Sequence, residues 1–113
     1  MGLFKRIGGI FKTTKVFNQI VDGKISIYDV EMPSWIDNET ERMAFMLTLK
    51  HALMLQNPLV ALAMDNFSHK TWVAIFHTAK VLEESGHEED CLELISDHII
   101  SYCKTSGLAS LTN

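Results

Sequence analysis

Met43–Met64, MAFMLTLKHALMLQNPLVALAM, decides the fold: sixteen of its twenty-two residues are apolar. At 3.6 residues per turn its polar members Thr48, Lys50, His51 and Gln56 fall on different sides of a helix. A helix apolar nearly all round is expected in the middle of a core, with other elements wrapped about it. The stretch is interrupted by Lys50, His51 and the Gln56-Asn57-Pro58 break, so it falls short of the roughly eighteen uninterrupted apolar residues of a membrane span.

The flanking signals place the helix ends. Asp37 or Asn38 caps the central helix, about 39–56, and Glu39 and Glu41 stand in its first turn, where the helix dipole favours acids. Asn57-Pro58 supplies a new cap with proline at the first helical position, so the chain turns or kinks there. Ser68 is a further cap. Behind it Trp72, Ile75, Phe76, Ala79 and Leu82 form one stripe, with Lys70, His77 and Glu84 opposite, until Gly86 stops the helix. Glu88, Glu89 and Asp90 open a last helix whose buried stripe is Leu92, Ile95, Ile99 and Tyr102 or Cys103, and Lys104 and Gly107 close it. The terminal LASLTN is expected to fray.

Between residues 22 and 38, Asp22-Gly23 is a turn signal, and KISIYDVEM reads two ways. Ile25 and Ile27 alternate with Lys24 and Ser26 as in a strand, whereas Ser26 and Asp29 match a capping box. A lone strand would need a second copy of the chain to pair with, so an irregular link with a short helical turn is the expectation, anchored on the core by Trp35 and Ile36. The fold class expected is therefore all-α: a bundle of four to five helices around the central apolar helix, with residues 1–22 as a basic amphipathic arm and 23–113 as the helical domain.

In that arm Leu3, Phe4, Ile7, Ile10, Phe11, Phe17 and Val21 recur at helical spacing, and Lys5, Lys12 and Gln19 lie opposite, with Lys15 at the edge of the stripe. Gly8 and Gly9 each cost about 1 kcal/mol relative to alanine, so such a helix needs something to pack against. A bulky apolar face opposed by a cationic one suits a membrane surface or a docked partner, through Leu3, Phe4, Lys5, Arg6, Ile7, Ile10, Phe11, Lys12, Lys15 and Phe17. The plainer alternative is the first helix of the bundle, with its phenylalanines in the core. Over residues 2–12, GLFKRIGGIFK resembles the opening of short membrane-active amphipathic peptides, a likeness of composition that shows no kinship. Gly2 raises N-myristoylation, but Arg6 stands where that signal wants serine or threonine. No secretory signal peptide is expected, because no apolar run with a small-residue cleavage site follows the basic residues.

Charge divides the same way. The whole chain carries −4, yet residues 1–24 hold five basic groups and Asp22 alone, while residues 25–113 hold five basic and thirteen acidic groups. Direct nucleic-acid binding by so acidic a body is disfavoured, since that affinity comes mainly from cations on phosphate. Glu83, Glu84, Glu88, Glu89, Asp90, Glu93 and Asp97 are a candidate surface for a basic partner, with Glu84, Glu88, Glu89, Asp90 and Glu93 at its centre, or else a solvated corner between helices. They lack the spacing of a calcium loop.

Catalytic and metal chemistry finds little support. His87 and Cys91 have the i, i+4 spacing of two ligands, but His98 and Cys103 are poorly aligned as a second pair, and Asp65 and His69 align only on a continuous helix. His51, in the most apolar helix, is the titratable residue expected to be most buried. Cys91 and Cys103 would sit about 18 Å apart on one helix, too far for an intrachain disulfide, which favours a reducing compartment. The chain is thus expected to be a non-enzymatic, cofactor-free cytoplasmic interaction protein, an adaptor or inhibitor that binds a protein partner or a second copy of itself. Peripheral attachment to an anionic membrane through the arm is the alternative. If the arm does not cover the central helix, part of that helix stays exposed and a partner or second copy must hide it.

Overall fold

Those start and stop signals divide residues 13–113, the part of the chain that the computed structural model describes, into five helices. Helix α1 covers residues 13–21, α2 Glu39–Gln56, α3 Pro58–Ala63, α4 His69–Glu84 and α5 Cys91–Ser106. Single 3-10 turns follow α3, at Met64–Asn66, and α5, at Leu108–Leu111. The all-α bundle is thus as the sequence indicates, and no strand occurs among the described residues.

The caps form as expected. The side chains of Asn38, Asn57 and Ser68 accept hydrogen bonds from the backbone N–H of Glu41, Val60 and Thr71, each relieving one unpaired donor of a first turn. Pro58 occupies the first turn of α3, where its missing N–H costs nothing. Gly86 and Gly107 follow α4 and α5 with φ of 83° and 86°, a region that side chains with a Cβ avoid.

The centre of the bundle is α4 rather than α2. Thr71, Val73, Ala74, Ile75, Phe76, Thr78, Ala79 and Leu82 are buried in α4, well beyond a single stripe, whereas α2 buries only Leu49 and Leu53. Helix α2 packs along α5, with α3 folded back on it, and reaches α4 through large rings. Phe45 of α2 and Trp35 of the connector lie 5.8 and 6.0 Å from Phe76 between centroids, and Trp72 stacks on Phe76 at 5.7 Å. Offset and edge contacts at these distances are favourable for rings. Buried hydroxyls on α4 are satisfied locally: Thr78 donates to the Ala74 carbonyl, and Thr71 donates to the carbonyl of Leu111.

The connector is irregular, with a turn in which the N–H groups of Tyr28 and Asp29 donate to Ser26, so neither the strand nor a helix forms. It is nevertheless fastened to α4. Trp35 Nε1 donates to Glu83 at 3.0 Å, His77 Nδ1 donates to the Glu31 carbonyl at 2.7 Å, and Lys80 pairs with Glu31 at 3.3 Å.

The terminal LASLTN does not fray. Leu111 is wholly buried, the Ser68 N–H donates to its carbonyl, and Thr112 makes an isolated antiparallel bridge with Phe67. The physical reason is that the cap of α4 and the last apolar side chain serve each other, a tertiary contact with no local signature. Leu111→Ala is expected to lower the unfolding free energy by about 2–5 kcal/mol, as for a fully buried leucine. Urea denaturation checks this, and a frayed end would leave the midpoint unmoved.

Candidate functional site

Two apolar sides run along α2. Leu49 and Leu53 face the core, and at 100° per residue Met43, Leu47, His51, Met54 and Leu55 point to the other side. That other side is open to solvent: Leu55 is 89% exposed, Leu47 59% and Met43 58%. After the turn at Asn57-Pro58, α3 buries Val60 and Ala61 and leaves Leu59 and Leu62 exposed. A run of large aliphatic side chains at such exposure is unlike the scattered apolar residues of an ordinary surface.

A groove of about 390 Å³ enters this face, walled by Met43, Met46 and Leu47 on one side and by Met64 and Trp72 on the other. Lys50 Nζ lies 3.7 Å from the Asp65 carboxylate at its rim, a partly exposed pair of little energetic weight. The methionines make its wall adaptable in shape. His51, expected to be buried, is exposed in the middle of the stripe, since it lies directly opposite the inward pair Leu49 and Leu53. Thr48 turns its hydroxyl back to the Ala44 carbonyl at 2.7 Å, which removes one polar group from the face.

The expected arm surface is reached only in part. Leu3, Phe4, Lys5, Arg6, Ile7, Ile10, Phe11 and Lys12 lie outside the described residues. Lys15 is exposed, but Phe17 is wholly buried, its ring edge-on to Tyr102 at 6.1 Å and to His98 at 6.3 Å. Ile20 and Val21 join it in the same core as α4 and α5, so residues 13–21 pack as part of the body. Phe17 therefore has no free face to offer a membrane or a partner. At the far end of α1, Tyr102 donates to the Asp22 carboxylate at 2.5 Å.

The acidic residues are close in sequence and only partly together in space. Glu88, Glu89 and Asp90 surround a hollow of about 350 Å³ beside Gly86. Glu84 is exposed but held by Lys80, and Glu93 is exposed on the first turn of α5. Asp90 stands 3.5 Å from His87 Nδ1, which is buried and makes no hydrogen bond. Burial and then the charges of Glu83, Asp90 and Glu88 push the Cys91 thiol up to about 12. It stays protonated at neutral pH, which leaves the thiol a weak nucleophile. Cys103 is also a free thiol. Among the described residues no three His, Cys, Asp or Glu side chains converge as a metal set would, and no helix is long and apolar enough to cross a membrane.

The buried titratable group with a structural role is His98. Its Nε2 lies 3.0 Å from the Thr13 hydroxyl and 3.2 Å from that of Thr14, joining α5 to the start of α1. No family model, curated protein or solved structure matches this chain.

Burial lowers the His98 pKa below its ordinary 6.5, against a smaller opposing effect of Asp97. Below about pH 6.5 the unfolded chain therefore takes up a proton that the folded chain refuses, and stability falls as pH drops through that range. In urea denaturation between pH 7 and 5.5, His98→Gln is expected to lose less stability than the native chain. Equal losses would mean that the ring is not held neutral at this seam.

Proposed function

We propose that this protein is a small non-catalytic interaction protein, of the adaptor or inhibitor kind, whose contact surface is the outward face of α2 and α3. The observation that carries the reading is the exposure of Met43, Leu47, Met54 and Leu55 on α2 and of Leu59 and Leu62 on the α3 that follows it. Fully burying a leucine is worth about 1.5–3 kcal/mol, so leaving four of them in water is a standing cost that a partner removes. The helices that present them are anchored from behind by the buried Leu49, Leu53, Val60 and Ala61, so the backbone of the face is already formed. Preorganisation of that kind lowers the entropy lost on association. The acidic balance of residues 25–113 argues against nucleic acid as the partner. Two free cysteines, one buried and one half-buried, suit the reducing cytoplasm as the place of work.

The acidic corner at Glu84, Glu88, Glu89, Asp90 and Glu93 is secondary in this reading. One of its carboxylates is engaged by Lys80 and another stands against His87, which reduces what is left for a basic partner. Membrane attachment through the arm would rest on residues 1–12, since Phe17 is committed to the core.

A photo-crosslinking amino acid placed at Leu55 or Leu59 in cells producing the protein tests the assignment. Discrete protein adducts are expected at both positions, and none at Ser101, which is exposed on α5. The absence of adducts at Leu55 and Leu59, or equal labelling at Ser101, contradicts the reading.

A further inference from the structure

The face on α2 and α3 is unusual in what it lacks. Between Met43 and Asp65 the chain contains one charged residue, Lys50, and that one is turned to the groove rim beside Asp65. A strongly acidic or basic partner would find no complementary charge here, and an anionic lipid headgroup would find no free cation. Of the charges that border the face in sequence, Glu39, Glu41 and Asp65 would repel such a lipid surface, while Arg42 is turned to the Ile36 carbonyl. An aliphatic row interrupted by His51 alone is matched by another such row, and each copy of this chain supplies one.

Area agrees with that match. Six large side chains that are 39–89% exposed can supply much of the roughly 800 Å² that each partner contributes to a standard interface. The row also has the form that a two-fold contact demands, in which the same patch must complement itself. Packed antiparallel, Met43 and Leu47 of one copy meet Leu55 and Leu59 of the other, with similar bulk at both ends of the row. We infer that the partner on this face is a second copy of the chain, joined α2 to α2 about a two-fold axis. This rests on the reading of the face as an interaction surface and names its occupant.

The acidic charge of the bodies adds a signature. Two chains of net charge −4 repel, and salt screens that repulsion, so the dimer tightens as salt rises. Attachment to a charged partner or lipid would weaken instead. Sedimentation equilibrium of the full chain at micromolar concentration is expected to give twice the mass of one chain, with stronger association at about 0.5 M than at about 0.05 M salt. Leu47→Glu with Leu55→Glu should weaken association at least about 100-fold, as loss of a central apolar contact does, while the far-ultraviolet circular dichroism stays helical. Leu59→Lys serves as a second variant on the same face, and Ser101→Glu should change nothing. A chain that remains monomeric at 100 micromolar overturns the inference, as does a dimer unaffected by the Leu47, Leu55 and Leu59 variants. If the chain is monomeric but Leu55 still crosslinks to a protein of another mass, self-association falls and the interaction surface stands. With neither association nor adducts, both fall.

Discussion

Helix α4 must be hidden on more than one side, and the rest of the structure follows from how that is done. With eight of its sixteen residues buried, including two threonines, it cannot lie against a single neighbour. Helix α5 covers one flank, the connector is strapped across another through Trp35, Glu31 and His77, and the terminal Leu111 seals the N-terminal end. Helix α2 adds the aromatic contact of Phe45 with Phe76. These contacts take up the inward sides of α5, the connector and the terminal turn. Nothing among the described residues is then left over for the outward side of α2.

That division explains why the most apolar stretch of the chain is not its centre. Hydrophobicity states that a segment gains by leaving water, and it does not state what will cover it. Leu49 and Leu53 are covered by the body of the same chain, while Leu47 and Leu55 are not. Helix α1 is no cover for them, because its Phe17, Ile20 and Val21 are used on α5 and the central core. The exposed row is the remainder after the fold has been satisfied, which is why a partner is the natural reading of it.

Much of this was legible from the residues. Asn38, Asn57 and Ser68 announce caps that form, Gly86 and Gly107 end helices at positive φ, and Trp35 anchors the connector as its position suggested. These are local signals, set by hydrogen-bonding geometry within a turn. The failures are all tertiary. LASLTN looked too short and polar to hold, yet Leu111 is buried because the cap of α4 needs it. His51 looked buried because its neighbours are apolar, while His98, in a plainer helix, is the ring enclosed by Phe17, Thr13 and Thr14. Residues 1–12 of the basic arm lie outside the described residues, and among the described ones the apolar side chains that stand open are on α2 and α3. One sequence signal did point there, since Met43, Leu47 and Leu55 form a stripe of their own, opposite Leu49 and Leu53.

Two leucines two residues apart on α2 thus differ in kind, Leu53 buried in the fold and Leu55 left open to the partner proposed for it. The comparison of Leu53→Ala with Leu55→Ala in urea unfolding, at protein concentrations low enough to keep copies apart, addresses this directly. Leu53→Ala is expected to cost about 2–5 kcal/mol, and Leu55→Ala to stay within about 0.5 kcal/mol of the native chain. Similar losses for the two would contradict the account, because both sides of α2 would then be part of the core.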